Sequence, residues 1–367
     1  MGRLRAIVRA LGVLVQVAAA AAPARAAIRF QVTNLVTDDP QANAAQITDA
    51  NLVNAWGISY GPGGPFWVSA GGSGKSTIYF VDPATNATQR LSPVVSIPGD
   101  GSVTGQVFDA TAHFDLNAFL FASEDGTVSG WRMGSTATVV QAASTQNVYK
   151  GVAIAAIEDD SYLYLANFRA GTIDVLKGSA SAPDLSGSFT DPDLPDGYAP
   201  FNIANLGDAL YVTYAVQGQD KKDDVAGAGH GIVDEFDLQG NWVRRLATGG
   251  TLDSPWGLAI APPSFDTYAG DLLVGNFVDG TINAFDLASA SFVGQLLGLD
   301  GQPLAIDGLW GLIPGNDGLA GSSDAIYFSA GPAAESHGLF GAITAPEPGG
   351  GRLGAWRSRG AQRTRMS

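Results

Sequence analysis

The sequence predicts an all-β fold, a six-bladed β-propeller of four-stranded antiparallel blades. The first observation is a phrase that recurs six times at intervals of roughly fifty residues, a period typical of repeat architectures. The second is that each copy holds short β-prone stretches separated by turns, with almost no segment of helical periodicity. The third is that the last copy is one strand short, while a lone strand precedes the first copy.

Each copy opens with a short strand that enters from a polar loop. Three of these openings carry a Trp-Gly pair: Trp56-Gly57, Trp256-Gly257 and Trp310-Gly311. The other three begin near Thr104, Gly151 and Phe201, and the Thr104 copy departs furthest from the rest. Because this strand opens every copy, we expect it to line the central channel.

The second strand of each copy is richer in β-forming residues, as in residues 119–122 (Phe-Leu-Phe-Ala). A turn containing Gly follows and supplies the positive φ of a tight hairpin. In two copies the turn begins with Asn-Phe, at Asn167 and Asn276, and leads into a Gly-Thr-Ile third strand. Glu124, Tyr214 and Ala330 are aligned with these Asn residues in three other copies.

The ring is predicted to close through the N-terminal strand, at about residues 28–36. The last copy ends near Ile343 with three strands, so pairing with the first strand completes its blade. Closure removes a free sheet edge, which proteins otherwise have to protect. A seven-bladed ring and an open solenoid are the alternatives.

The two ends of the chain are predicted to lie outside the propeller of residues 27–344. Residues 1–26 combine a basic start, an apolar run from Ala10 to Ala22 and an Ala-Arg-Ala site, typical of a secretory signal peptide. Residues 345–367 are rich in Gly and Arg and are predicted to be a disordered basic tail. The mature chain is therefore expected to have no membrane span.

The Gly-Thr-Ile strands and Asn-Phe turns resemble those of NHL-type six-bladed propellers. Longer phrases, such as residues 53–58 (Val-Asn-Ala-Trp-Gly-Ile) and 221–231, resemble a family of exported bacterial proteins often associated with PEP-CTERM sorting tails. Residues 345–349 (Ala-Pro-Glu-Pro-Gly) resemble the opening of such a tail, in a degenerate form without its hydrophobic helix. The resemblance implies a propeller exported to the periplasm, cell surface or medium, and no particular activity.

Composition excludes several classes of function. Residues 27–345 carry 11 Lys and Arg against 34 Asp and Glu, a net charge of −23, which would repel nucleic acid. The chain has no Cys, which excludes thiol catalysis and cysteine-ligated metals. The expected partner is a small molecule, a glycan or a protein, and the chain is expected to be a monomer.

Topology predicts a polar site at one mouth of the channel. In a four-stranded blade, the loop entering the first strand and the turn after the second strand lie on the same face. This places oxygen-bearing side chains around one opening, and those predicted to hold Ca²⁺ or another divalent cation are Glu124, Asn167, Asn202, Asn276 and Asp307. Related lactonase-like propellers hold a metal with Glu, Asn and Asp in such a place. The alternative is that these residues cap the turns.

A ligand other than a metal is predicted at the same mouth. The residues predicted to bind it are Asn54, Asn167, Arg169, Asn202, Asn276, Trp256 and Trp310. The tryptophans form either an aromatic platform for sugars or apolar packing between blades. Residues 217–229 form the longest polar loop in any copy, and its Lys221-Lys222-Asp223-Asp224 run is expected to pair within itself.

The sequence thus favours an exported binding or interaction module over an enzyme. The alternatives are a metal-dependent hydrolase or lyase at the channel mouth and a structural component of an extracellular matrix. The fold alone does not choose among them, because propellers host all three.

Overall fold

The computed structural model describes residues 28–346 of the chain. It confirms a six-bladed β-propeller of small antiparallel sheets. Within residues 28–346 there are 24 strands and one 3₁₀ helix, Pro263–Tyr268. The predicted signal peptide and almost all of the predicted tail lie outside the described residues. No helix among residues 28–346 is long and apolar enough to cross a membrane.

The strands follow one another in chain order around the ring. Their bounds are β1 Gln31–Thr37, β2 Ile47–Thr48, β3 Ala55–Ser59, β4 Phe66–Ala70, β5 Lys75–Val81, β6 Thr88–Ser96, β7 Val103–Phe108, β8 Phe119–Ser123, β9 Val128–Trp131, β10 Thr138–Gln141, β11 Tyr149–Ile157, β12 Asp160–Asn167, β13 Thr172–Lys177, β14 Tyr198–Asn205, β15 Leu210–Val216, β16 Ile232–Phe236, β17 Trp242–Thr248, β18 Pro255–Ile260, β19 Leu272–Asn276, β20 Ile282–Asp286, β21 Ser291–Gln295, β22 Leu309–Pro314, β23 Ala325–Ala330 and β24 Leu339–Thr344. Blades 1 to 6 begin with β3, β7, β11, β14, β18 and β22.

The N-terminal strand closes the ring as predicted. β1 pairs antiparallel with β24, from Gln31 opposite Thr344 to Thr37 opposite Leu339. The short strand β2 then pairs with β1 in parallel and extends blade 6 to five strands. The first and last strands of the propeller therefore share one sheet.

Blade 3 departs from the predicted four strands, because only β11, β12 and β13 form its sheet. The segment that follows β13 bonds instead to the β16–β17 turn of blade 4. The backbone N–H of Phe189 donates to the Gly240 carbonyl at 2.9 Å, and the Phe189 ring is buried beside Phe236. The Phe189 ring also contacts Tyr164 of blade 3, so this segment packs between blades 3 and 4 instead of adding a fourth strand to blade 3.

The core lies mainly between blades rather than within them. Six of the seven clusters of buried apolar side chains each join two neighbouring blades. The second strand of a blade is buried on both faces, as in β19, whereas outer strands such as β21 are largely exposed. The seventh cluster lies on the ring axis and determines the shape of the channel.

Candidate functional site

One hydrogen bond recurs in all six blades and builds what we call the turn face of the ring. In each blade, the turn after the second strand donates a backbone N–H to the loop that enters the first strand. The six bonds are Gly71 to Asn54 (2.8 Å), Glu124 to Ser102 (3.1 Å), Phe168 to Val148 (2.8 Å), Gln217 to Gly197 (2.8 Å), Phe277 to Ser254 (3.0 Å) and Gly331 to Gly308 (2.8 Å). They confirm that these two segments lie on the same face.

Three tryptophans from blades 1, 5 and 6 close the channel at the turn face, and we call them the tryptophan plug. Trp56 and Trp310 have ring centroids 3.8 Å apart, and Trp256 lies 6.3 Å from Trp56 and 5.7 Å from Trp310. All three rings are buried. Phe201 of blade 4 contacts Trp310 of blade 6, and Phe277 stacks on it at 3.9 Å. Because side chains of non-adjacent blades touch, the central channel is blocked at the height of the tryptophans.

The three plug tryptophans share one position in the first strands with Lys150 and Phe201, and we call it the plug position. Trp56, Lys150, Phe201, Trp256 and Trp310 each lie at the irregularity where the pairing of the first and second strands shifts register. A bulge re-aims the side chain of its extra residue, which here points toward the axis. The tryptophans therefore pack against one another at the axis rather than between blades.

Asn54 connects the plug to an acidic side chain. Its Oδ1 accepts the indole N–H of Trp56 at 2.8 Å and that of Trp310 at 3.2 Å. Its Nδ2 donates to Oε2 of Glu335 at 2.7 Å. Asn54 has a φ of 51°, a left-handed conformation that Asn tolerates better than most residues.

Glu335 is held by strained backbone. Ala333, Ala334 and Glu335 have φ values of 55°, 52° and 65°, so three consecutive non-glycine residues are left-handed. Each such residue costs about 1–2 kcal/mol, and strain of this kind clusters at functional sites. Burial raises the pKa of Glu335, and this effect outweighs the charge of Lys150 and the hydrogen bond from Asn54, which lower it.

Lys150 places a buried cation directly over the plug. Its residue is 3% exposed, and its Nζ lies 5.2 Å from the ring centroid of Trp56, within cation–π range. Nζ pairs with Oε1 of Glu124 and lies 3.8 Å from Oδ1 of Asp223. A buried charge is tolerated only when it is paired, so Glu124 and Lys150 act as a unit.

The loop of residues 217–229, which we call the covering loop, extends from blade 4 over this ion pair. Lys222 Nζ bonds Oε2 of Glu124 of blade 2 at 3.1 Å, and the negative charge of Glu124 raises the pKa of Lys222. Asp224 accepts a hydrogen bond from Ser254, which precedes blade 5. The predicted pairing within the Lys-Lys-Asp-Asp run is therefore wrong for Lys222, whose partner is Glu124.

A cavity of about 360 Å³, the mouth pocket, opens beside the covering loop. It is lined by side chains of both charges and by hydroxyl and amide groups: Asp100, Glu124, Asp125, Arg169, Lys222, Ser144, Thr145 and Asn147. Arg169 uses Nη1 to bond the Thr145 carbonyl at 3.1 Å. Side chains of both charges, two of which form the Glu124–Lys222 ion pair, thus surround a space large enough for a small ligand.

The two predicted turn asparagines cap backbone groups. The Oδ1 of Asn167 accepts the N–H groups of Val148 and Ala170, both at 3.2 Å. Asn276 donates to the Thr251 carbonyl at 2.7 Å and to Asp279 at 3.1 Å, while its buried Oδ1 has no partner. The turn-capping alternative therefore accounts for most of their polar atoms.

The other predicted residues are spread over the channel and its turn face. Asn202 lies within β14 and donates to the Trp256 carbonyl at 2.7 Å, on the channel side of the plug. Asp307 is exposed and accepts the Ala333 N–H at 2.8 Å. Asn54 and Glu124 lie at the mouth, and Arg169 lines the mouth pocket.

Two of the five predicted metal ligands already use their oxygens in bonds within the protein. Both oxygens of Glu124 bond lysines, and Oδ1 of Asn167 already accepts two backbone N–H groups. Among residues 28–346 no group of three or more His, Cys, Asp or Glu side chains is placed to hold a metal. Binding of Ca²⁺ stays a prediction of the sequence.

Strand register also corrects one sequence alignment. Ser123 pairs with Val103 as Asn167 pairs with Tyr149, so Ser123 takes the asparagine position in blade 2. The alignment of Tyr214 and Ala330 is confirmed by their partners, Pro200 and Leu309.

Glu124 therefore takes the position that Phe168 and Phe277 occupy in blades 3 and 5. In blade 2 a charge thus replaces an aromatic ring beside the plug, opposite Lys150.

Lys150 and Glu335 were not predicted as site residues. A lysine within an apolar strand was the available signal for Lys150, because Lys150 stands where other copies have Trp. No local signal marks Glu335, whose partner Asn54 is 281 residues away.

A second buried charged group lies in blade 4, away from the mouth pocket. Asp234 is fully buried, and its Oδ1 bonds Arg245 Nε at 3.3 Å while its Oδ2 has no partner. Burial, together with the charge of Asp191, raises the pKa of Asp234 to about 7. The folded protein thus keeps this proton over a range in which the unfolded chain releases it.

We expect the Asp234→Asn variant to gain stability relative to the wild type as pH rises. Below about pH 4 the proton is bound in both the folded and the unfolded wild type. Between about pH 4 and pH 7 only the folded state holds it, so the unfolding free energy of the wild type falls as pH rises. The amide of the variant does not titrate. Urea unfolding at pH 4, 5.5 and 7.5 measures the difference, with exposed Asp159→Asn as the control. A difference independent of pH would contradict the raised pKa.

Comparisons with known proteins give relatives and structural neighbours. No protein-family model matches this chain. It is 33% identical over 346 residues to "Uncharacterized protein R648" of Acanthamoeba polyphaga mimivirus, covering 88% of this chain and 82% of that protein. It is 30% identical over 349 residues to "Uncharacterized protein L690" of the same virus, covering 88% and 87%.

Solved structures show the fold at low sequence identity. An α-L-arabinofuranosidase of Fusarium graminearum aligns with a TM-score of 0.54 at 12% identity, over 86% of this chain and 98% of that one. A glucose dehydrogenase aligns with a TM-score of 0.53 at 12% identity, over 85% and 98%. At such identity these likenesses support the propeller fold and no shared chemistry.

Proposed function

We propose that this chain is a binding module that takes a small polar ligand in the mouth pocket. The chain belongs to the family of the mimivirus proteins R648 and L690. The observation that carries the proposal is the composition of this pocket. Blades 2 and 3 and the covering loop bring Asp100, Asp125 and Arg169, together with the Glu124–Lys222 ion pair, around about 360 Å³. Such convergent polar groups in a concave site are typical of ligand recognition.

The charges indicate which ligand the pocket suits best. Arg169 lines the pocket and bonds the Thr145 carbonyl through Nη1, which leaves further N–H donors on its guanidinium group. The carboxylates of Asp100 and Asp125 accept backbone N–H groups and keep further acceptor capacity. A ligand with both a carboxylate and an amino group, such as a short peptide, would pair with both sets. We therefore propose a zwitterionic ligand.

The test is calorimetric titration of the whole chain with three ligands of different charge: triglycine, the neutral sugar chitobiose and the acidic sugar digalacturonate. We expect triglycine to bind and the Arg169→Ala variant to weaken its binding about tenfold, because a charge-assisted hydrogen bond contributes about 1.5–3 kcal/mol. Arg132→Ala, which removes an exposed arginine on blade 2, is the matched control.

The titrations distinguish a zwitterion site from an acidic-sugar site and from no site. No binding of any of the three ligands, or equal affinity in the Arg169 and Arg132 variants, would count against a binding site in this pocket. Binding of digalacturonate alone would keep the site and replace the zwitterion with an acidic sugar.

Export is part of the proposal, since it decides where the ligand is met. It is supported by the pattern of residues 1–26 and by the resemblance to exported proteins with PEP-CTERM tails. Fractionation of cells that express the full chain tests it. Recovery of the unprocessed chain from the cytosol alone would contradict it.

The alternative of a hydrolase or lyase at the mouth has one favourable observation. Glu335 has a raised pKa and is held by a strained turn above the plug, as expected of a general acid. We place binding first because two of the predicted metal ligands, Glu124 and Asn167, already use their oxygens in other bonds. A matrix component is the third alternative, and no contact among the described residues favours it over binding.

A further inference from the structure

The central channel contains a second cavity, distinct from the mouth pocket. This channel cavity has a volume of about 310 Å³ and is lined by the first strands of all six blades. It lies between the tryptophan plug and the opposite face of the ring, where these strands end at Ser59, Phe108, Asn205 and Pro314. Its size falls within the range of small-molecule pockets.

The cavity is closed at the end nearest the turn face. A narrow neck forms there because glycine follows the plug position in most first strands. A Cβ on Gly57 would lie 2.7 Å from the Gln106 nitrogen, and one on Gly257 would lie 2.7 Å from the Trp310 carbonyl oxygen. Such contacts exclude side chains, so the strands approach closely at the neck. Trp256 of the plug also forms part of the cavity wall.

The wall of the cavity is uncharged and largely apolar. None of its lining residues is Asp, Glu, Lys, Arg or His, although residues 27–345 carry 45 residues of the first four types. Ile58, Ile154, Ile203, Leu258 and Leu312 supply much of its surface. An ionised ligand would have no counter-charge here, whereas an apolar one would be removed from water.

Most polar side chains of the wall are already bonded within the protein. Tyr60 donates to the Pro314 carbonyl at 2.9 Å, and Gln106 donates to the Gly57 carbonyl at 3.2 Å and accepts from Ser76 at 2.9 Å. Two side chains of the wall differ: the Ser59 hydroxyl has no partner, and Asn205 donates its Nδ2 to the Ile154 carbonyl at 3.0 Å while its Oδ1 has no partner. An acceptor left unpaired costs free energy that a ligand donor would recover.

We propose that the channel cavity binds a neutral, mainly apolar small molecule that carries one hydroxyl or amide donor. The apolar body packs against the isoleucines and leucines of five first strands and against Val107 of the sixth. The donor bonds Oδ1 of Asn205 once this buried amide has turned toward the ligand. The ligand enters from the face opposite the covering loop, so this site is separate from the proposed zwitterion site. Long-chain alcohols represent the class.

The experiment titrates the whole chain with 1-decanol and with decanoate, which has the same chain length and a charged head. Calorimetry gives affinity and stoichiometry, and tryptophan fluorescence reports on Trp256 in the wall. We expect one decanol per chain and affinity at least tenfold weaker for decanoate. Ala204→Phe fills part of the cavity and should weaken decanol binding at least tenfold; Ala84→Phe, on an exposed turn of blade 1, should bind as the wild type does.

The polar contact has its own variant. Asn205→Leu keeps the site apolar but removes the acceptor, so decanol affinity should fall about fivefold, as expected for one neutral hydrogen bond. If Ala204→Phe does not fold, the decanol affinity of Asn205→Leu tests the proposal by itself. The proposal is overturned if the wild type binds no decanol, or if folded Ala204→Phe or Asn205→Leu binds it as tightly as the wild type. Several molecules bound per chain, unaffected by either variant, would also overturn it.

Discussion

Replacing Leu35 with aspartate should remove most of the stability of the propeller. Leu35 is fully buried in the cluster that joins blades 6 and 1, on the strand that closes the ring. Loss of a buried leucine side chain costs about 2–5 kcal/mol, and burial of an unpaired carboxylate adds to that cost. Because a whole domain is stable by about 5–15 kcal/mol, we expect a largely unfolded chain at 37 °C.

The matched control lies on the same strand. Val32 is 38% exposed and pairs with Ile343 of β24, so Val32→Asp keeps the pairing and adds a charge at the surface. We expect a change within about 0.5 kcal/mol for this variant. Urea unfolding followed by tryptophan fluorescence compares the two. Similar midpoints for both variants would mean that β1 contributes little to closure.

The second large effect is expected at Gly280, in the turn that leads into β20. Its φ is +69°, and a Cβ there would lie 2.1 Å from the Ile306 carbonyl oxygen. Gly280→Ala therefore combines backbone strain of about 1–2 kcal/mol with a clash that forces neighbouring backbone to move, typically a further 1–3 kcal/mol. We expect a loss of about 2–5 kcal/mol in unfolding free energy.

Gly171 provides the comparison, because it occupies the same position of the same motif in blade 3. Its φ is +74°, and a Cβ there would meet nothing within 4 Å. Gly171→Ala should thus cost only the strain of about 1–2 kcal/mol. Thermal unfolding of both variants measures the difference. Equal losses would show that strain alone decides the cost at both turns.

These two glycines show how far a repeat motif predicts structure. The Asn-Phe-x-x-Gly-Thr-Ile phrase predicts both turns and their positive φ, because these depend on local residues. It does not distinguish them, since the clash at Gly280 comes from residue 306, in the loop before blade 6. Ring closure was predictable because the incomplete last copy and the lone N-terminal strand are both visible in the sequence. The missing outer strand of blade 3 was not, because it depends on a contact between Phe189 and the distant Gly240.

The candidate site was less predictable than the fold. Topology placed Asn54, Glu124 and Arg169 at the mouth correctly. Lys150 and Glu335 acquire their meaning from partners on other blades, and no periodicity marks such contacts. Sequence spacing also gave no sign that the tryptophans of blades 1, 5 and 6 would meet on the axis.

Closure of the ring by β1 also has a consequence for synthesis. Gln31 and Thr344 are partners, so the ribosome must add 313 residues after Gln31 before the pair can form. At about 5–20 residues per second, this delay is on the order of 15–60 s. Throughout it Leu35 and Val36 lack their final apolar neighbours. A nascent chain of this protein therefore exposes the apolar side chains of β1 throughout synthesis, before the ring can close.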